Sequence, residues 1–151
     1  MSLSNQFNNN IITQYIRTYQ PNDYPKIAEI LKAENMLDVD WDSKENFDAI
    51  SAQNKTNILV SENKGEITGC VVFLPFGKTA ALGYQLIVKK EYRKQGIASA
   101  LLDSMQKELK KIGITKIALE TYADDNYLIK FYSKKEFMKG SKPRIVFWKS
   151  I

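Results

Sequence analysis

The chain has no histidine and a single cysteine, Cys70. These two scarcities exclude a disulfide within the chain, a Cys/His zinc site and any catalytic triad built on imidazole. Acid–base chemistry therefore falls to Asp, Glu, Tyr, Lys or bound water, and no metal is expected. Apolar runs are short: none approaches the ~20 residues that a membrane-spanning helix needs. No internal repeat and no interdomain linker stands out. The first ten residues are polar and rich in asparagine. They lack the charged and apolar regions of a signal peptide, so a cytoplasmic location is expected. Residues 1–10 read as a flexible tail before a single domain at 11–151.

The 151 residues are 44% hydrophobic and 26% charged, as in a soluble globular domain with one sizeable core. The net charge of +5 is uneven, −4 over residues 1–75 and +9 over 76–151. Solvated faces explain that split. So does a polyanionic ligand on the C-terminal half with a cationic one on the other. The basic pI of 9.2 raises nucleic-acid binding. No reading motif accompanies the charge, and the acidic first half argues against that class.

Residues 11–19 read as a strand. Pro21-Asn22-Asp23 signals a helix start, with Ile27, Ile30, Leu31 and Met36 near helical spacing. Residues 38–42 read as loop, and Ser43 caps a second helix carrying Phe47 and Ile50. Strands are expected at 57–61 and 67–76, joined by the Asn63-Lys64-Gly65-Glu66 turn. A third follows at 80–89, and its Leu86-Ile87-Val88 end is continuously apolar, as for burial on both faces. Ile97, Ala98, Leu101, Leu102, Met105, Leu109 and Ile112 then form one helical stripe, which Gly113 ends. A strand over 115–121, a helix opened by Asp124-Asp125 and a last strand over 144–149 complete the pattern. Strand, helix, strand in succession implies a parallel pair within a mixed sheet.

The most informative stretch is Tyr92-Arg93-Lys94-Gln95-Gly96-Ile97-Ala98-Ser99. It joins an apolar strand to the best-defined helix through a basic turn with a glycine. Helix N-terminal N–H groups lack intrahelical partners, and glycine lets an anion approach the backbone closely. The helix dipole alone adds roughly 0.3–1 kcal/mol for such an anion. Read by itself, this is equally an ordinary strand–helix turn.

The spacing from Leu86-Ile87-Val88 to Arg93-x-x-Gly96-x-Ala98 resembles the acetyl-CoA pyrophosphate loop of the GNAT superfamily of N-acetyltransferases. The similarity runs in register from Tyr15 to Phe137. Arg17 with residues 21–31 is similar to the family's first strand and helix, and residues 121–137 to its second cofactor segment. Two positions depart from the pattern. The usual Asn is Asp125, with Asn126 next, and the usual Gly before Phe137 is Glu136. A left-handed turn there is expected to be replaced or strained.

The resemblance implies an α/β fold: a mixed, mostly antiparallel sheet with a splayed parallel pair at its centre and helices on both faces. It implies acetyl-CoA as co-substrate. Backbone groups of Leu86, Ile87 and Val88 would meet pantetheine and the thioester, with the N–H of Ile87 or Val88 facing the oxyanion. Arg93, Lys94, Gln95, Gly96, Ile97, Ala98 and Ser99 would hold the pyrophosphate. Asp125, Asn126 and Tyr132 would complete the cofactor contacts. Lys130, Lys134 and Lys135 either reach the 3′-phosphate or form a solvated helix face. Tyr132 would protonate the departing thiolate, since a phenol with pKa ≈ 10 is protonated at neutral pH. Glu120 is the candidate base, and Tyr84 with Gln85 the alternative, ordering a relay water.

The implied acceptor is a primary amine, on a protein, a peptide or a polyamine-like small molecule. Asp38, Asp40, Asp42, Glu45 and Asp48 face a single Lys44 in the sequence. They either form an exposed acidic loop or attract a cationic amine beside a wall of Trp41 and Phe47. A non-catalytic acyl-CoA-binding sensor is the alternative function. Neither a nucleic-acid nor a membrane partner is expected, and a homodimer is left open.

Overall fold

Strand pairing and two helix layers build the first part of the molecule. A computed structural model describes residues 14–142 and 144–151, so the expected tail at 1–10 and the start of the strand at 11–19 lie outside the described residues. The chain divides into two compact units, one ending at Leu119 and one covering Glu120–Ile151.

In the first unit, β1 (Tyr15–Thr18) is followed by a single 3-10 turn at Pro21–Asp23 and by α1 (Tyr24–Ala33). The helix starts where the proline fixes φ and removes a donor that would go unused. Arg17 binds both oxygens of Asp23 at 2.7 and 2.9 Å and Glu62 at 2.8 Å, tying strand to helix start. α1 buries Ile27, Ile30 and Leu31. Met36 lies beyond its end and is exposed, because the chain turns at Asn35 with φ 54°. α2 (Lys44–Gln53) starts as its cap residue implies, with Ser43 Oγ accepting from the Asn46 N–H at 3.2 Å.

β2 (Ile58–Asn63) and β3 (Glu66–Phe76) form the expected hairpin. Lys64 at φ 49° and Gly65 at φ 83° supply the two left-handed residues of a type I′ turn. β4 (Ala80–Val88) continues the meander, α3 (Ile97–Lys111) follows, and β5 (Lys116–Leu119) returns parallel to β4. α3 ends in a Schellman motif: Gly113 N–H bonds to Lys110 O and Ile114 N–H to Leu109 O.

The sheet order is β1-β2-β3-β4-β5, antiparallel except for the last pair. Ile27, Leu31 and Phe47 pack on one face with Val60, Cys70, Val72 and Ile87. α3 covers the other face. Its Leu101 lies against Gly69, where an added Cβ would sit 3.3 Å from the leucine and 2.6 Å from Ile87 O. Gly69 and Cys70 are successive strand residues and so face opposite sides.

In the second unit, Asp125 caps α4 (Asn126–Lys134) by accepting from the Leu128 N–H at 2.9 Å. The expected last strand is absent. Residues 144–149 pair with no strand among the described residues, and Ile145, Val146, Phe147 and Trp148 are exposed. Their β-branched and aromatic character suggests a strand, but a ladder needs a hydrogen-bonding neighbour, and the segment has none. The parallel pair consequently stands at one end of the five-strand order instead of at its centre.

Candidate functional site

The strand–helix junction after β4 is held from below by one carboxylate. Glu66, at the start of β3, forms an ion pair with Lys89 and accepts from the Tyr92 hydroxyl at 2.7 Å. Lys89, then Tyr92, pull the Glu66 carboxyl below its ordinary pKa. Beyond this anchor the backbone turns left-handed twice, at Lys94 (φ 60°) and Gly96 (φ 81°). An added Cβ on Gly96 would meet nothing within 4 Å, so the backbone conformation, not space, calls for glycine. Gly96 O accepts the first helical bond, from the Ala100 N–H at 3.0 Å. The N–H groups of Ile97, Ala98 and Ser99 thus precede the intrahelical ladder and are available to an anion. Ile97 buries its side chain and fixes the helix start, while Gln95 and Gly96 are exposed.

The cations of this turn differ in role. Arg93 Nε donates to Val88 O at 3.0 Å, and its Nη2 lies 2.9 Å from Glu34 Oε1. Its charge is shared with a carboxylate, so it clamps the turn to β4 and to the end of α1. Lys94 is exposed and in no ion pair among the described residues. It is the turn's outward positive charge.

β4 provides an open edge next to that turn. Its pairing with β5 covers only Ala80↔Lys116 to Gly83↔Leu119, while the strand itself continues to Val88. On the other side, the Lys89 N–H bonds to Thr68 O, which fixes the alternation of the antiparallel ladder. Ile87 then faces β3, opposite Cys70, whereas Leu86 and Val88 turn their N–H and C=O groups to the open side. Of the two N–H groups the resemblance offers for an oxyanion, Ile87 is engaged in the ladder and Val88 is directed outward. Leu86 N–H joins it. The Cys70 thiol is buried and pushed up to about 12, mainly by burial and then by the Asp42 charge, so it is no nucleophile at neutral pH.

The acidic loop is organised differently from a cation-attracting rim. Asp42 is fully buried. Its Oδ1 accepts from the Tyr84 hydroxyl at 2.7 Å and from Gln85 Nε2 at 3.3 Å, and its Oδ2 accepts from the Asp38 N–H at 2.8 Å. Asp48 pairs with Lys44 and accepts from the Tyr19 hydroxyl at 2.7 Å. Asp38 caps its own turn, accepting from the N–H groups of Asp40 and Trp41. Phe47 is in the core, edge-on to Tyr24, and forms no wall. Asp40, Glu45 and Trp41 are exposed, as expected of an acceptor surface, and so is Asp38 beside its turn contacts.

Asp42 with Tyr84 and Gln85 is a contact that motif reading missed. Its signal is a bulge: Val72 pairs with Gln85 and Phe73 with Gly83, leaving Tyr84 as the extra residue. In a regular strand Tyr84 and Gln85 would face opposite sides. The bulge brings both to one carboxylate oxygen.

In the second unit, Tyr132 lies edge-on to Phe131 and Phe137, with ring centroids 5.3 and 5.7 Å away. Burial, then the Asp125 charge, raises its pKa. It therefore stays a phenol, able to donate, throughout the neutral range. Glu136 adopts φ 65°, so a glutamate occupies the left-handed position that the resemblance assigns to glycine. Asp125 spends Oδ1 on the helix cap, and Asn126 is exposed. Glu120 is exposed and 3.9 Å from Arg144. Lys130 and Lys134 are exposed on α4.

A profile of the acetyltransferase (GNAT) family matches residues 16–137. An acetyltransferase of Sodalis glossinidius is 30% identical over 81% of this chain and 85% of its own length. Among solved structures, Ard1 from Thermoplasma volcanium superposes with a TM-score of 0.77 at 20% identity, covering 85% of this chain and 84% of its own. The PaiA N-acetyltransferase from Thermoplasma acidophilum, solved in complex with coenzyme A, gives 0.72 at 19% identity, over 82% and 88% of the two chains.

Proposed function

The chain belongs to the acetyltransferase (GNAT) family, and we propose that it transfers an acetyl group from acetyl-CoA to a primary amine by direct attack in a ternary complex. The observation that carries the reading is the Gly96 turn. Three N–H groups free of the helical ladder, outward Lys94 and the open edge of β4 succeed one another between Leu86 and Ser99. This order suits a cofactor that carries a pyrophosphate at one end of an extended amide arm and a thioester at the other.

In this reading, Ile97, Ala98 and Ser99 hold the pyrophosphate through backbone N–H groups. Leu86 and Val88 bond the arm and donate to the oxyanion of the tetrahedral intermediate. Tyr132, a phenol that is protonated at neutral pH, gives its proton to the departing thiolate. Glu120 is the sequence's candidate for accepting the amine proton. Asp40 and Glu45 beside Trp41 favour a cationic acceptor, a peptide or protein amine or a polyamine-like molecule.

The test is release of free thiol from acetyl-CoA in the presence of a panel of amines. Amine-dependent release, with polyamines, lysyl peptides and basic N-termini ahead of neutral and anionic amines, is expected. Binding of CoA without release for any amine would leave a sensor instead of an enzyme. Faster turnover of anionic amines would overturn the cationic acceptor.

A further inference from the structure

Among the acids of the 38–48 stretch, one buried carboxylate has an arrangement that its structural environment does not require. Asp42 is 0% exposed, and its partners are Tyr84, Gln85 and the Asp38 N–H, all uncharged donors. No cation pairs with it among the described residues. An unpaired buried carboxylate is costly, and packed apolar groups in its place would commonly be neutral or stabilising. Its backbone is fixed as well: Asp42 N–H bonds to Asp38 O at 2.6 Å, and Asp42 O accepts from the Tyr24 hydroxyl at 2.7 Å. The groups facing it are Tyr24 of α1, Asp38 of its own loop, Cys70 of β3, and Tyr84 and Gln85 of β4, with Glu45 of α2 acting on Tyr24. No lysine or arginine belongs to that set.

Tyr84 is the link from this carboxylate to the open edge. It is the extra residue of the β4 bulge and the first residue beyond the last β4–β5 pair, Gly83↔Leu119. It is only half-buried, unlike the carboxylate it meets. Two residues along an extended strand span about 7 Å, which puts Tyr84 one such step from the outward N–H of Leu86. Bulges recur beside active sites because they re-aim side chains, and this one aims Tyr84 at Asp42.

We infer that Tyr84, backed by Asp42, takes the proton from the acceptor ammonium. The inference rests on the acetyl-transfer reading and deepens it. The ammonium N–H bond breaks as its proton passes to Tyr84 Oη. The hydroxyl proton of Tyr84 moves along the 2.7 Å hydrogen bond to Asp42 Oδ1. The amine lone pair thus freed forms the new C–N bond at the thioester carbon. The C–S bond then breaks, Tyr132 protonates the thiolate and regains a proton from the second N–H of the attacking nitrogen, and Asp42 returns its proton to solvent by the same route. The sum is ammonium plus acetyl-CoA giving amide, CoA thiol and one proton. Tyr84 is then a catalytic residue and Asp42 a positioning residue that acts through it. Glu120 becomes dispensable for this step.

The experiment compares wild type, Tyr84→Phe and Asp42→Asn on two acceptors found with the amine panel. One is an alkylamine that is protonated at the assay pH. The other is a weakly basic hydrazide or arylamine that is already neutral. Both variants are expected to lose about 10²-fold or more in kcat/KM on the alkylamine. On the neutral amine the loss is small, and KM for acetyl-CoA is unchanged. Raising the pH is expected to restore the variants on the alkylamine, since hydroxide then supplies the free base. Equal losses on the two acceptors, or no loss on the alkylamine, would overturn the inference. If Asp42→Asn fails to fold, Tyr84→Phe decides alone, because it leaves Asp42 its Gln85 and Asp38 bonds. A wild type that acetylates no amine refutes the acetyl-transfer reading instead, so the two failures are distinct.

Discussion

Tyr132 and Gly96 show how much chemistry a single residue type carries in a chain without histidine. A donor to the leaving thiolate has to keep its proton at neutral pH, and burial raises the Tyr132 pKa in the direction that keeps it. Tyr132→Phe is therefore expected to lower kcat by about 10²–10⁴-fold, with CoA affinity by calorimetry unchanged. The alkaline limb of the wild-type pH–rate profile should not come from Tyr132 below its ordinary value of 10.0, because a raised phenol ionises later. The turn at Gly96 was legible in the sequence because a glycine between an apolar strand and a helical stripe marks a turn. Asp42 was not. As one of five acids in an acidic stretch it reads as solvated, and only a bulge opposite Val72 and Phe73 reveals that it faces inward. Bulges depend on pairing register, which the local pattern of residues does not encode. Arg93 was legible as basic but not as half-neutralised, because Glu34 is remote in sequence.

At the scale of elements, the turn between β4 and α3 combines a backbone requirement with an electrostatic anchor. Gly96→Val forces a β-branched residue to φ 81° and should cost roughly 1–2 kcal/mol or more. Thermal melts would show that cost, and CoA affinity should fall with it as the free N–H groups move. Glu66→Gln keeps the size of the anchor but removes its charge from Lys89. KM for acetyl-CoA is expected to rise several-fold at unchanged kcat, since the anchor lies behind the turn and away from the reacting atoms. The helix stripes apart from Met36 and Ile112, the Ser43 cap and the hairpin at Lys64-Gly65 were readable from periodicity and turn chemistry. The last strand was misread for the converse reason. Residues 144–149 have strand-forming side chains, yet strand formation is decided by a neighbour, and no local pattern specifies one.

For the molecule as a whole, the first unit draws its stability from helices on both faces of one sheet. Leu101 is fully buried on the α3 side, and Leu101→Ala should cost about 2–5 kcal/mol in denaturant unfolding. Charge sets the acid limit. Glu66, held by Lys89 and then Tyr92, and Asp48, held by Lys44 and then Tyr19, both lie below their ordinary values of 4.5 and 3.8. A lowered pKa in the folded state stabilises the protein above the unfolded value. That contribution is lost as pH falls through the lowered one. Melting temperature should therefore drop in this acid range, and a Glu66→Gln, Asp48→Asn double variant should show a shallower drop.

In the proposed function, backbone N–H groups at the head of α3 hold the pyrophosphate of CoA. Titrating isotope-labelled protein with CoA while following backbone amide resonances reads those groups directly. Saturable shifts are expected at Gly96, Ile97, Ala98 and Ser99, with Leu86 and Val88 moving along the open edge. Saturable CoA binding that leaves the amides of residues 96–99 unmoved would contradict it.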